Sequence, residues 1–458
     1  MDKKTLLRQL PRVDAVLATA EVASMKSQLR ADLVDDAVRA EVDLARQTIL
    51  DEKDPGELDP SSIARHAAAR LARLLRPGVQ HCLNATGVVL HTGLGRAVYP
   101  PAAVEALQRE LSGYSVVAVD IENNQRLRRE TAVSRLIAML TGAEAATVVN
   151  NNAAATVIAL NTMAAGREAI LSRGQLVEIG GSFRMPEVFE AAGVTLAEVG
   201  TTNRTHLRDY ERAINENTGL LLRVHPSNYK VIGFTSEPGI DEMVALGREH
   251  GIPVMDDLGA GALVELDPEP PITASIEAGA DLITCSGDKL IGGAQSGIIL
   301  GSKHWIDKVR RNPLFRTYRV DKMTLTVLEA TLRLFLEPDG PGDGHPTWRM
   351  LRTDPAELKK RAEALAARIA KELPALTVGT RPDFSQVGSG SLPGESLPTT
   401  VVTLQHPERN AAQFARALRL GTVPVFTRIV DESVLCDPRT LLHAGEEDEL
   451  VAALKEIS

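Results

Sequence analysis

The sequence predicts an α/β protein in three parts: a helical N-terminal domain, a large domain on a mostly parallel sheet, and a small α/β C-terminal domain. Three observations predict it. Over residues 79–335 short apolar runs alternate with helix-period segments, the pattern of strands covered by helices on both faces. Residues 1–78 carry apolar positions at helical spacing only. Residues 336–458 contain the turn-rich Gly340-Pro341-Gly342-Asp343-Gly344 and after it a long helix, expected over Pro355–Leu373, and then mixed segments.

In the first part, Val34, Val38, Val42, Ala45 and Ile49 mark one helix, and Ile63, Ala67, Leu71, Leu74 and Leu75 mark a second. Asp54-Pro55-Gly56 separates them, Ser61 or Ser62 is the expected cap, and Pro77-Gly78 is the expected stop. A packing or oligomerisation arm and a partner-binding domain both fit this pattern. In the second part, strands are expected at Ala146–Val149, Ala169–Leu171, Val194–Val199, Gly219–Val224, Pro253–Asp257, Leu282–Cys285 and Ser296–Leu300. A helix is expected at Ala153–Ala165. In such a sheet, ligands sit at the carboxyl ends of the strands.

The composition excludes several classes. Aromatic residues are only 3% of the chain, too few for base-stacking platforms, and the net charge of −9 opposes a generally basic nucleic-acid binder. Residues 1–80 hold 13 basic and 13 acidic side chains, so the rest of the chain carries the whole −9. Cys82, Cys285 and Cys436 follow no metal-ligand spacing and read as reduced thiols. The charged start, Asp2-Lys3-Lys4, and the lack of a membrane-length apolar run lead to the expectation of a cytoplasmic protein.

Three strand ends carry chemistry. Ser286-Gly287-Asp288-Lys289 follows an apolar run and precedes Gly292-Gly293, presenting one lysine in a glycine-bounded loop. Many pyridoxal-phosphate enzymes present their lysine this way, with a serine three residues earlier for the cofactor phosphate. Serine hydrolases also use Ser-x-x-Lys. Asp256-Asp257 ends another strand, where a carboxylate needs a partner. Asp257 suits the pyridinium nitrogen, with Gly259 under the ring face; a metal-binding aspartate pair is the alternative. Asn151-Asn152-Ala153 opens a helix whose N–H groups suit a phosphate, although an Asn-rich cap on a core helix gives the same pattern. His225, Ser227 or Asn228 could face the ring oxygen, a lone histidine being more often structural. Arg96, Arg316 and Arg319 could bind a phosphate-like dianion, or be solvated surface residues. The joint order of lysine, aspartate and helix start is that of a fold-type I pyridoxal-phosphate enzyme.

These segments together resemble the bacterial L-seryl-tRNA(Sec) selenium transferases, the selenocysteine synthases. The resemblance rests on Leu83–Arg96, Asn150–Ala155, His225–Tyr229, Asp256–Gly259, Ser286–Gly293, Arg316–Ala330, Gly390–Gly394 and Pro424–Ile429. Gly93 stands where Asn is expected and Pro226 where Thr is expected. The resemblance implies pyridoxal 5'-phosphate held by Lys289, with Asp257 at the ring nitrogen and Asp288 assisting proton transfer. Cofactor contacts are implied for Ser286, Asn151, Asn152, Ala153, His225 and Ser227. It implies selenophosphate bound by Arg96, Arg316 and Arg319, and seryl-tRNA(Sec) converted to selenocysteinyl-tRNA(Sec) by way of a cofactor-bound aminoacrylyl-tRNA. It also implies that residues 1–78 grip the tRNA and that subunits form a ring of dimers, a homodecamer. A small-molecule pyridoxal-phosphate lyase and a non-catalytic RNA-binding relative are the competing readings.

Overall fold

The computed structural model describes residues 3–181, 183–388, 391, 394 and 396–458. The chain divides into two compact units, Met1–His81 and Cys82–Ser458. The first unit is helical. Its two main helices, Ala31–Leu50 and Pro60–Leu74, bury the residues spaced for it: Val34, Val38, Val42 and Ala45 meet Ile63, Ala67 and Leu71 in one core. Removing such apolar surface from water is the main force holding so small a unit together. The second helix is capped by Asp59, which accepts from the Ser62 N–H at 3.0 Å, rather than by Ser61 or Ser62. Pro60 follows the cap at the first helical position, where its fixed φ favours helix entry and its missing N–H costs nothing. The helix stops at Leu74, before Pro77-Gly78.

The second unit contains a seven-stranded sheet. In chain order its strands are β1 (Ala145–Val149), β2 (Glu168–Ser172), β3 (Thr195–Val199), β4 (Thr218–Val224), β5 (Val254–Gly259), β6 (Leu282–Ser286) and β7 (Gly297–Gly301). In space they run β1-β7-β6-β5-β4-β2-β3, and only β7 is antiparallel to its neighbours. Strands β1, β4, β5 and β6 are almost continuously buried because both faces are covered. Ile283, Leu221 and Ile298 point to one face with helices Thr131–Thr141, Ile240–His250 and Lys322–Leu334. Leu282, Leu222 and Ile299 point to the other, with helices Asn152–Ala164, Met185–Ala192 and Lys303–Arg311.

A four-stranded antiparallel sheet follows, formed in order by Thr377–Gln386, Ser396–Gln405, Ser433–Cys436 and Arg428–Val430. Helices Pro355–Glu372, Ala411–Leu420 and Ala444–Ile457 flank it. Leu83-Asn84 pairs in parallel with Val425-Phe426 and places Leu83 in the smaller core. Of the segment Gly390–Gly394, Gly390, Leu392 and Pro393 lie outside the described residues. Among the described residues no helix is long and apolar enough to cross a membrane.

Candidate active site

Four strand ends converge. The chain leaves β1 into Asn150–Asn152, β4 into His225, β5 at Asp256–Gly259, and β6 into Ser286–Lys289. Pairing in register sets Val224 beside Asp257 and Asp257 beside Thr284. The result is a cavity of about 280 Å³ whose wall includes Asn151, Asn152, Ala153, His225, Ser227 and Asp257. Gly259, Ser286, Asp288, Lys289 and Arg96 complete it.

The two aspartates of β5 point to opposite faces, as adjacent strand residues must. Asp256 is fully buried and takes two hydrogen bonds from the Arg223 guanidinium, at 2.8 and 2.6 Å, plus one from Ser275. That ion pair leaves it no role in the cavity. Asp257 faces the cavity, accepting from Asn152 Nδ2 and Thr156 Oγ1, each at 2.9 Å. Burial raises its carboxyl above the ordinary range, opposed by those two bonds. Among the described residues no group of three or more His, Cys, Asp or Glu could hold a metal ion.

Lys289 is 5% exposed. Burial, and then the nearby Arg96 charge, push its ammonium below the ordinary lysine range, against the pull of Asp288, Asp257 and Glu269. A larger share of neutral amine follows, which nucleophilic and base chemistry require. Asp288 accepts from Arg96 Nη1 at 2.9 Å. Arg96 reaches it from a left-handed backbone, φ 62°, that follows Gly95 at φ 95° and is closed by its own N–H on the His91 carbonyl at 3.0 Å. A non-glycine residue in that region is strained by about 1–2 kcal/mol, so the loop holds it there.

At the other end, Asn151 caps helix Asn152–Ala164 by accepting from the Ala154 N–H at 2.8 Å. Its side chain is thereby used locally, and that of Asn152 is directed at Asp257. What remains for an anion is the start of the helix itself, where the first N–H groups have no helical acceptor and the dipole is positive. His225 and Ser227 follow β4; the His225 Nε2 lies 3.6 Å from Glu269 Oε2. Gly259 has φ 68°, and a Cβ there would lie 3.3 Å from Ser227 Oγ and 4.0 Å from Lys289 Nζ, so glycine keeps the floor flat.

Arg316 and Arg319 are not brought to this cavity within one chain. They are exposed and line a separate cavity of about 420 Å³ with Arg126, Arg128, Arg129, Arg310 and Arg311. Arg129 and Arg316 together push the Arg319 guanidinium below its ordinary range. The two cavities are nevertheless close along the backbone, because the Asn150 N–H donates to the Tyr318 carbonyl at 3.0 Å. Sequence reasoning missed Thr156 and Glu269. Thr156 lies one helical turn beyond Asn152, so helix periodicity could have found it. Glu269 sits in the proline-rich turn Asp267–Pro271, with no pattern to mark it.

The residues present fit pyridoxal 5'-phosphate. The amine of Lys289 suits its aldehyde carbon, Asp257 its ring nitrogen, Gly259 the ring face, and the helix start its phosphate. Asn152 Oδ1 is buried and without a hydrogen-bond partner among the described residues, an acceptor still to be satisfied.

The sheet order, the smaller second sheet and the helical N-terminal region make this a fold-type I pyridoxal-phosphate transferase fold. D-glucosaminate-6-phosphate ammonia-lyase matches with a TM-score of 0.60 at 23% identity, over 84% of this chain and 97% of that one, a likeness of fold alone. The L-seryl-tRNA(Sec) selenium transferase of Nitratidesulfovibrio vulgaris is 46% identical over 450 residues, spanning 95% of this chain and 96% of that protein. That of Alkaliphilus metalliredigens is 43% identical over 470 residues, 100% of both. The SelA family profile, described as L-seryl-tRNA selenium transferase, matches residues 82–442, starting where the second compact unit starts. On this profile and these full-length relatives, the chain belongs to the L-seryl-tRNA selenium transferase family.

Proposed function

We propose that this protein converts L-seryl-tRNA(Sec) to L-selenocysteinyl-tRNA(Sec) on pyridoxal 5'-phosphate, with selenophosphate as the selenium donor. The observation that carries the reading is the buried Lys289 in one cavity with Asp257 and an anion-ready helix start. When bound, the cofactor supplies an electron sink that acidifies the seryl Cα proton. Asp257 is placed to hold the proton of the ring nitrogen, and Asn152 and Thr156 fix the direction of its carboxylate. Ser286 and the first turn of helix Asn152–Ala164 are placed to bind the phosphate. His225 and Ser227 line the same cavity and would flank the ring.

Lys289 Nζ is the base that takes the Cα proton, burial having lowered its affinity for a proton. Asp288, adjacent in the chain, assists as the seryl hydroxyl leaves with a proton. The seryl Cβ–O bond breaks and a Cβ–Se bond forms. The water released in the first event balances the water consumed when the P–Se bond is cleaved to phosphate. Arg96 Nη1 faces Asp288 and is placed to exchange that carboxylate for the donor dianion.

Arg316 and Arg319 serve the donor if a second copy brings their cavity to this one. An exposed apolar segment, with Tyr114, Val116 and Ile121, lines a groove that shares Arg128 and Arg129 with the arginine cavity and supports such an assembly, a ring of dimers closing as a homodecamer. The helical unit, neutral overall with exposed Arg65 and Arg73, is suited to a shape-reading contact with folded tRNA. The work is that of a cytoplasmic enzyme of the translation machinery. Purified protein given seryl-tRNA(Sec) and selenophosphate should yield selenocysteinyl-tRNA(Sec). Parallel arms with free serine and with thiophosphate test both substrates, and equal turnover of free serine would overturn the reading.

A further inference from the structure

A second cavity, of about 260 Å³, abuts the first at His225, which lines both. It lies beyond the carboxyl ends of β2, β3 and β4, between Ser172, Thr205 and the loop after Tyr229. Its size is just under the ~300 Å³ at which small-molecule pockets begin, which suits one nucleoside and excludes a folded RNA. Its wall contains a buried acid. Glu269 is 4% exposed, its Oε2 lies 3.6 Å from His225 Nε2, and its Oε1 has no hydrogen-bond partner among the described residues. A buried carboxylate oxygen left unpaired is costly, so a site that keeps one is built for a donor that arrives. At the rim stand two exposed basic residues, Arg204 and Lys230, and one exposed acid, Glu237, which accepts from Gln175 Nε2 at 3.3 Å. Arg204 is anchored, donating to the Phe234 carbonyl at 3.1 Å and lying over the Phe234 ring at 5.7 Å.

An acceptor inside and cations at the mouth describe a ligand with hydroxyl groups at one end and a phosphate at the other. The substrate has such a part. In an aminoacyl-tRNA the amino-acid carboxyl is esterified to the ribose of the 3'-terminal adenosine. The ribose therefore begins one bond beyond the ester oxygen, with a free hydroxyl beside the ester and a phosphate on its far side. With the serine Cα over Lys289, that ribose must lie in a space continuous with the cofactor cavity, and the His225 junction is such a space.

We propose that this cavity receives the 3'-terminal nucleoside of the aminoacyl-tRNA, with Glu269 Oε1 accepting the hydrogen bond of the free ribose hydroxyl and Arg204 meeting the phosphate. The proposal rests on the seryl-tRNA reading above and adds to it where the enzyme distinguishes an esterified serine from a free one. It makes Glu269 a substrate-binding residue and leaves the cofactor contacts unchanged.

The test uses the full-length protein loaded with cofactor and a stable probe, 3'-amino-3'-deoxyadenosine coupled through its amine to serine, titrated by calorimetry. The nucleoside amide should bind at least tenfold more tightly than serinamide. Removing its 2'-hydroxyl should lose roughly tenfold, the worth of one hydrogen bond to a charged group. In Glu269→Ala, amides with and without that hydroxyl should bind alike, while the visible absorbance of the bound cofactor is retained. Arg204→Ala, which changes only the rim, should weaken the 5'-phosphorylated probe and leave the unphosphorylated one unaffected. Equal binding of serinamide and the nucleoside amide, or indifference of the native protein to the 2'-hydroxyl, would overturn the proposal. If either occurs while seryl-tRNA(Sec) is still converted, the pocket assignment alone fails; if seryl-tRNA(Sec) is not converted at all, the function fails with it.

Discussion

The cavity at Lys289 and the cavity at Arg316 are built on opposite principles. At Lys289 the ionisable groups are buried, and the chain itself supplies their partners: Arg96 for Asp288, and Asn152 with Thr156 for Asp257. At Arg316 most of the guanidinium groups are exposed and crowd one another, Arg310 being half-buried against Glu130, the one acidic side chain among the described residues of that wall. A group whose task is to hold or move a proton needs a fixed, dry surrounding, because only there does its proton affinity move. A group whose task is to catch a dianion from water is best left under-compensated, so that the ligand brings the missing charge. Burial therefore marks the chemistry, and unbalanced exposure marks the capture.

The largest effect expected is at the buried cavity. Lys289→Ala should abolish the visible absorbance of bound cofactor and lower selenocysteinyl-tRNA formation on the order of 10³-fold or more; a variant that keeps both would break the comparison at its centre. The two aspartates of β5 should then separate cleanly. Asp256→Asn leaves the Arg223 guanidinium without its counter-charge, and urea unfolding should show a loss of about 3–5 kcal/mol. Asp257→Asn should leave the unfolding midpoint nearly unchanged and lower turnover roughly 10²-fold. The reverse pattern would exchange the roles given to them.

Smaller effects are expected at the exposed cavity. Arg316→Ala should spare the cofactor spectrum and raise the selenophosphate concentration needed for half-maximal turnover roughly tenfold, an effect that shrinks in high salt. Loss of the cofactor spectrum would show that the two cavities are not independent. The smallest effect concerns pH. Lys289 binds its proton less tightly folded than unfolded, so between its lowered value and the ordinary lysine value the unfolded chain holds more protons. Stability of the cofactor-free protein should therefore rise with pH across that window. Lys289→Met lacks this rise, so its stability advantage over the native protein should narrow as pH climbs, which denaturant titrations at two pH values would measure.

The same contrast explains what was legible in the sequence. Lys289, Asp257 and the Asn151 helix start were readable because each ends an apolar strand, and strand ends in an open α/β sheet are where ligands sit. The two aspartates could not be assigned by pattern alone. One residue of register decides which face each side chain takes, and register is a property of the pairing between β4, β5 and β6. The helix cap went to Asp59 rather than to a serine because Pro60 fixes where the helix can begin. Leu83 joined the smaller core by pairing with Val425, a contact across most of the chain that no local rule reports. Arg316 and Arg319 were recognisable as anion-binding types, but their distance from Lys289 within one chain is a matter of tertiary placement.

Among the described residues strand β1 has a single neighbour, β7, the last strand of the sheet to leave the ribosome, with Val149 opposite Gly297. The helix start at Asn151 hangs from β1, and a Cβ on Gly297 would collide with the Asn151 carbonyl. The edge of the sheet thus waits for nearly all of the intervening chain before it can close, a long-range closure of the kind that makes folding slow. Uptake of cofactor during synthesis would then mark completion of the sheet, and a chain interrupted before Gly297 would have its lysine in place with nothing yet built to receive the phosphate.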